Sequence, residues 1–240
     1  MKRRSLVSLA ATAALSVAMV LPLAAHAQGK TLRIVPHANV TILDPIWSTA
    51  FVTRNHGYMI YDTLFGTDAS GAVKPQMVDK WSVSKDNLTW TFTLRDGLEF
   101  HDGAPVTSAD AVASIKRWAS RDSFGGVMAK SVAEYATPDA KTFVIKLKAP
   151  FGVMLEALGK PSSNVPFIMP ARIAATPGSE QIKENIGSGP YKFVQAEYKP
   201  GERLVYVKND KYKSRSEAPN GTTGGKPVFV DRVEWVIIRD

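Results

Sequence analysis

At 240 residues, 45% of them hydrophobic and 22% charged, the chain is long enough to bury a core, and with no cysteine it has no disulfide framework. Its formal charge of +8 is spread along the sequence, and the densest basic stretch, Lys208 to Arg215, is broken by Asp210. The concentrated basic stripe of a nucleic-acid binder is missing, so no nucleic-acid partner is expected.

The chain opens on Lys2, Arg3 and Arg4, continues in an uncharged run rich in Leu, Val and Ala, and reaches Ala25-His26-Ala27 ahead of Gln28. A cationic start, an apolar middle and a small-x-small end read as a secretory signal peptide over residues 1–27, cleaved between Ala27 and Gln28. A membrane anchor is the competing reading, because the run is almost long enough to span a bilayer. Its Ala-rich composition, Pro22 and the small residues placed for the peptidase favour cleavage. No cysteine follows the run, so no lipid anchor is expected. The leader holds three basic and no acidic residues, so the remaining 213 residues would carry +5, and the mature chain is expected in the periplasm.

Thr31 to Val35 reads as a first strand, followed by a polar bend from Pro36 to Pro45. Phe51, Tyr58, Met59 and Tyr61 suggest a helix from about Ala50 to Tyr61, although Gly57 argues against it. Leu88, Trp90, Phe92 and Leu94 alternate with threonines, the period of a half-buried strand. Thr107 or Ser108 caps a helix from about Ala109 to Ala119, with Ala111, Ile115 and Trp118 on one face. Strands around Val132 to Tyr135 and Phe143 to Leu147 suit a hairpin turned at Pro138-Asp139. A short helix fits Gly152 to Leu158. Tyr191 to Tyr198 and Glu202 to Lys208 read as strands joined at Pro200-Gly201, and Val233 to Ile238 as a last strand.

A search for catalytic patterns finds little. Gly187-Ser188-Gly189 lacks the spacing of a nucleophile elbow and the further glycines of a phosphate loop. His37, His56 and His101 have no metal-ligand spacing and read as polar surface or turn residues, so no metal or other cofactor is expected. Trp81, Trp90 and Trp118 read as core packing. The residues alone thus describe an exported mixed α/β protein, not an enzyme. His101-Asp102 or Ser188 would carry the alternative of a secreted hydrolase.

Several segments in order extend this reading: Val40-Thr-Ile-Leu-Asp-Pro45, Tyr61-Asp-Thr-Leu-Phe65, Lys74-Pro-Gln-Met77, Leu88-Thr-Trp-Thr-Phe-Thr-Leu-Arg-Asp-Gly97, Phe100-His-Asp-Gly-Ala-Pro-Val-Thr-Ser-Ala-Asp110 and Ile186-Gly-Ser-Gly-Pro-Tyr191. The series resembles the extracytoplasmic solute-binding proteins of ABC importers, in the family of peptide- and nickel-binding members. The resemblance implies an α/β fold: a periplasmic binding protein-like lobe with an inserted β-rich α+β subdomain, the second lobe missing. It places the incomplete first-lobe core at residues 28–64 plus 168–240, and the inserted subdomain at 65–167. The implied function is capture of a peptide-like or other small solute for an ABC permease, by a protein that is a monomer when full length. A nickel- or metallophore-binding member is a further alternative.

In members it resembles, the segment equivalent to Asn39, Val40 and Thr41 lines the cleft and offers backbone hydrogen bonds to an extended ligand. That segment also follows the first strand, where open α/β folds place ligands. Phe124 matches an aromatic after the subdomain helix and is a second candidate contact. Members resembling the chain continue past the equivalent of Asp240. The chain by itself is therefore expected to bind weakly and to expose apolar surface around Val233, Trp235 and Ile237.

Overall fold

The computed structural model describes residues 29–162 and 164–238, so the leader and its cleavage point at Ala27–Gln28 lie outside the described residues. In chain order the elements are β1 (Thr31–Ile34), α1 (Phe51–Ile60), β2 (Asp62–Thr63), β3 (Phe65–Thr67), β4 (Val73–Pro75), β5 (Val78–Val83), β6 (Thr89–Leu94), α2 (Ser108–Ala119), α3 (Ser123–Ser131), β7 (Val132–Ala136), β8 (Thr142–Leu147), α4 (Met154–Leu158), β9 (Phe167–Ile168), α5 (Ala171–Ala174), β10 (Tyr191–Phe193), β11 (Arg203–Lys208) and β12 (Arg232–Val236).

Two four-stranded sheets organise these elements. The first runs β1-β12-β11-β10 and draws its strands from both ends of the described chain. β1 lies parallel to β12, while β11 is antiparallel to both of its neighbours. α1 lies over this sheet through an aromatic seam in which His56 meets Phe193 edge-on at 5.2 Å and Tyr206 meets Trp235 at 5.4 Å. The second sheet runs β5-β6-β8-β7, antiparallel throughout. Here the alternation of the threonine strand is realised. Phe92 pairs with Phe143 across β6 and β8, both are fully buried, and their rings stack at 4.9 Å. α2 covers this sheet with Ala111, Ile115 and Trp118, each 0% exposed.

The start of α2 shows why the chain turns helical there. The Asp110 carboxylate accepts both the Thr107 backbone N–H (2.8 Å) and the Thr107 hydroxyl (2.6 Å), which holds the entry into the first turn. The second Asp110 oxygen accepts the Ala171 N–H at 2.7 Å, tying α5 to the same point. Gly57 sits inside α1 because a Cβ there would lie 2.5 Å from the Phe167 ring. The close packing of α1 requires the residue that its helix propensity disfavours.

Some elements depart from the sequence reading. α3 lies where the sequence reading places no element, and Gly125 and Gly126 within it are poor helix formers. Asp122 caps it by accepting the Gly125 N–H at 2.9 Å, and a Cβ on Gly125 would press on Trp118. The strand expected over Tyr191 to Tyr198 ends at Phe193 and gives way to a 3₁₀ turn, Gln195–Glu197. His56 is not a surface residue: it is 0% exposed. Trp81 is 39% exposed rather than core, since β5 is a sheet edge. Val233 and Trp235 are buried, at 2% and 6%. Exposed apolar groups near this sheet lie on and beside edge strand β1, at Leu32, Ile34 and Val35, and on either side of β12, at Phe229 and Ile238.

Candidate functional site

The loop between β1 and α1 is shaped from within. Val40 is 0% exposed and pins the segment inward, leaving Asn39 and Thr41 on either side of it facing out. The Val40 carbonyl accepts the Tyr198 hydroxyl at 3.5 Å, and the Ile42 carbonyl accepts the Thr53 hydroxyl of α1 at 2.9 Å. Asp44 then folds the chain back. One of its oxygens accepts the Ile46 and Trp47 N–H groups (2.9 and 3.3 Å), the bonding that makes Asp favourable in turns.

The other Asp44 oxygen meets the Arg117 guanidinium at 2.6 Å, with both side chains 1% exposed or less. It also accepts the Ile182 N–H at 3.0 Å. Arg117, near the end of α2, donates in addition to the carbonyls of Thr176, Pro177 and Glu180. An ion pair this deep is tolerable when most of its remaining hydrogen-bonding capacity is used; here three backbone carbonyls and three backbone N–H groups use it, while the Arg117 Nε–H has no partner. It joins the candidate ligand loop to the helix of the β-rich half of the molecule.

Asn164 is a second tie. It adopts φ +58, its side-chain amide donates to the carbonyls of Ile46 (2.9 Å) and Ser48 (3.1 Å), and its own carbonyl accepts the Trp118 indole N–H. Past α2 the chain turns through Ser120 and Arg121 into α3. Asp122, at the start of that helix, pairs with Lys160. Phe124 is half-buried on α3, with its ring 6.1 Å from that of Phe151. No hydrogen bond or ring contact joins Phe124 to Asn39, Val40 or Thr41. Asp44–Arg117 and Asn164 tie the loop to α2, and α3, which carries Phe124, packs on α2 where Gly125 meets Trp118. The sequence signals for those ties were slight: Asp44 lay within a quoted motif, and nothing marked Arg117 or Asn164.

The residues of the hydrolase alternative are occupied elsewhere. His101 accepts the Gly187 N–H at Nδ1 (3.3 Å), and its Nε2 faces the Gly189 carbonyl at 3.2 Å. Burial pushes its pKa down from 6.5 to about 4. Asp102 instead bonds Arg172 at 3.1 Å, and it receives the Ala104 N–H. The Ser188 hydroxyl is buried and has no hydrogen-bond partner, so no base stands beside it. Gly187 and Gly189 serve close approach: a Cβ on Gly187 would lie 1.9 Å from the Ile60 carbonyl oxygen, and the Gly189 N–H donates to that same oxygen at 3.0 Å. Among the described residues no group of three or more His, Asp or Glu could hold a metal ion.

One of the cavities, about 260 Å³, lies between the β3–β4 hairpin and the 215–224 loop, lined by Asp68, Lys74, Arg215, Glu217 and Asn220 among others. It shares no residue with the loop at 39–41 or with Phe124. The loop at 39–41 and the α2–α3 corner stand as the candidate site on the family resemblance.

Comparison with known proteins agrees with this architecture. The sequence profile of the bacterial extracellular solute-binding proteins, family 5 (middle), matches residues 72–240. A probable peptide ABC transporter periplasmic-binding protein, y4tO of Sinorhizobium fredii, is 46% identical over 230 residues, covering 95% of the chain and 43% of the relative. The glutathione-binding protein GsiB of Salmonella typhi is 30% identical over 165 residues, covering 68% of the chain and 32% of that protein. Among solved structures, the binding protein AgaA of A. tumefaciens R10 with agropinic acid superposes with a TM-score of 0.67 at 26% identity, covering 87% of the chain and 40% of AgaA.

The fold is thus the mixed α/β lobe of a periplasmic binding protein. The chain belongs to the family 5 bacterial extracellular solute-binding proteins, a family of binding proteins rather than enzymes. It spans less than half the length of the curated relatives it matches.

Proposed function

We propose that the chain is part of a periplasmic solute-binding protein that captures a peptide-like or other small solute and delivers it to an ABC permease. The observation that carries this is the match over 95% of the chain to a probable peptide ABC transporter periplasmic-binding protein. Names of related proteins include binders of glutathione and agropinic acid, which supports a small polar solute as the ligand class. The leader at residues 1–27 directs export, and cleavage after Ala27 releases a chain without a lipid anchor.

In this reading residues 28–64 and 168–240 build the first-lobe core, and 65–167 form the inserted subdomain. The exposed Asn39 and Thr41, on either side of the buried Val40, present backbone and short polar groups to the solute, with Phe124 supplying apolar contact. Closure of a second lobe would complete the cleft and signal occupancy to the permease.

Selection from a tripeptide library by native mass spectrometry tests the proposal. The full-length, two-lobed protein should retain a subset of the library, and Thr41→Arg in it should abolish retention while moving the thermal midpoint by less than about 2 °C, because Thr41 is exposed. Retention unchanged by Thr41→Arg would remove the loop from the site.

A further inference from the structure

We propose that the cavity between the β3–β4 hairpin and the 215–224 loop is a second binding site, remote from the loop at 39–41, that takes a free amino acid. β1 and β12 run parallel, and Ile34 at the end of β1 stands beside Trp235 near the end of β12. The candidate ligand loop leaves the end of β1, whereas the segment that builds the cavity leads into the start of β12. The two sites therefore lie towards opposite ends of the first sheet.

The cavity is shaped in advance by contacts between segments about 150 residues apart. The Thr222 N–H donates to the Thr67 carbonyl, and the Thr222 hydroxyl accepts the Thr67 N–H, both at 2.9 Å. The Asn220 side-chain oxygen accepts the Ala69 N–H at 2.9 Å, and the Gly224 carbonyl accepts the Gln76 side-chain amide at 3.1 Å. The loop comes this close because Gly66 has no side chain: a Cβ there would lie 2.7 Å from the Thr222 carbonyl oxygen. Walls held by such a ladder lose little freedom when a ligand enters.

The charges around the cavity divide into a spent pair and an open pair. Arg215 donates through Nε and Nη2 to the Glu217 carboxylate and through Nη1 to the carbonyls of Gln76 and Val78, so that pair is satisfied within the wall. Lys74 pairs with Gly66 across the hairpin, and Asp68 lies two residues beyond Gly66, so both charged side chains leave the same face. They attract one another yet form no ion pair. One Asp68 oxygen accepts the Ser70 hydroxyl and the N–H groups of Ser70 and Ala72, and the other has no partner among the described residues. The Ser70 hydroxyl first, with Lys74 adding a smaller pull, holds the Asp68 pKa below the usual carboxylate range, so the group is ionised at neutral pH. The Lys74 ammonium and the Asn220 side-chain N–H groups likewise have no hydrogen-bond partner among the described residues, since Asn220 spends only its oxygen on Ala69.

An open carboxylate beside an open ammonium and an amide donor matches a ligand that itself carries both charges. Its ammonium group would meet Asp68, and its carboxylate would meet Lys74 and Asn220, as charge-assisted hydrogen bonds. Pro75 and Ala218 add apolar wall for the ligand's side chain. The volume of about 260 Å³ falls below the roughly 300 Å³ at which sites for drug-sized ligands begin, which suits a single amino acid.

The test compares L-leucine with L-leucinamide, which lacks the carboxylate, and with 4-methylpentanoate, which lacks the ammonium group. NMR titration of the isotope-labelled exported chain at pH 7, read at the Asn220 side-chain amide and the Gly221 and Gly224 N–H signals, gives the three dissociation constants. Leucine should bind at least about tenfold more tightly than either analogue. Lys74→Gln should erase its advantage over the amide. Asp68→Asn, which keeps an oxygen for the Ser70 and Ala72 N–H groups, should erase its advantage over the acid. Lys85→Gln, at an exposed residue of the β5–β6 turn, and Thr41→Arg should change neither. Equal binding of the three probes, an advantage that survives its matching replacement, no binding at this cavity, or loss of leucine binding in Thr41→Arg would overturn the inference. None of these results bears on retention of tripeptides at the loop, because the cavity and the residues at 39–41 have no residue in common.

Discussion

Truncating Arg117 to alanine probes the tie on which the site depends. In the native protein its guanidinium meets Asp44 at 2.6 Å and donates to carbonyls at Pro177 (3.0 Å) and Glu180 (2.9 Å), as well as to Thr176. Removing it leaves Asp44, itself 1% exposed, with three backbone N–H donors and no counter-charge, and it strands three carbonyls of the 176–180 segment. Breaking a buried pair on one side costs about 3–5 kcal/mol, against a total stability of about 5–15 kcal/mol. Urea denaturation followed by tryptophan fluorescence should show a large fall in midpoint at constant m-value. The double replacement Asp44→Asn with Arg117→Met removes both charges and should recover about half of the loss or more, since a neutral pair carries no stranded ion. A cost below about 1 kcal/mol for Arg117→Ala would refute the reasoning.

Three further outcomes are expected. His56 and His101 are each held at a pKa of about 4 by burial, against 6.5 unfolded; the unfolded chain takes up protons first, so stability is full above about pH 6.5 and falls as the pH drops towards 4. Each histidine accounts for roughly 2 kcal/mol of that loss by pH 5, and urea midpoints of His56→Gln should fall less steeply with acid than those of the native protein; parallel slopes would contradict the assignment. Gly187→Ala drives a Cβ to 1.9 Å from the Ile60 carbonyl oxygen and should cost at least about 1–3 kcal/mol, while Gly152→Ala, with nothing within 4 Å of its Cβ, should be neutral or mildly stabilising by thermal melting. Mass spectrometry of the exported protein should find Gln28 at the N-terminus, and a retained Met1 would rule out cleavage after Ala27.

Local periodicity carried much of the fold. The threonine alternation of β6 and the four-and-three spacing on α2 require only neighbours in sequence, and both elements formed where that pattern put them. What escaped depends on packing, most of it between residues far apart in the chain. α3 contains two poor helix formers, Gly125 and Gly126, and the first is needed because a Cβ there would lie 2.9 Å from Trp118. His56 carries no local sign of burial, because its partner Tyr206 is 150 residues away. Around the candidate site, Asp44 stood within a recognisable segment. Its partner Arg117 lies 73 residues on and looks like any helix cation until the two are brought together. Asn164 likewise acts through a backbone conformation that sequence does not display. The placement of Asn39 to Thr41 and Phe124 as ligand contacts came from family resemblance, and the fold adds the physical frame that holds those two segments in fixed relation.

The most direct test of the account is to map a bound solute by residue. The tightest binder from the tripeptide library, titrated into the isotope-labelled protein, should shift the backbone signals of Asn39 to Thr41 together with those of Trp47 and Phe124. Shifts confined to Asp68, Lys74 and the 215–224 loop would place the solute in the cavity there and contradict the proposed site.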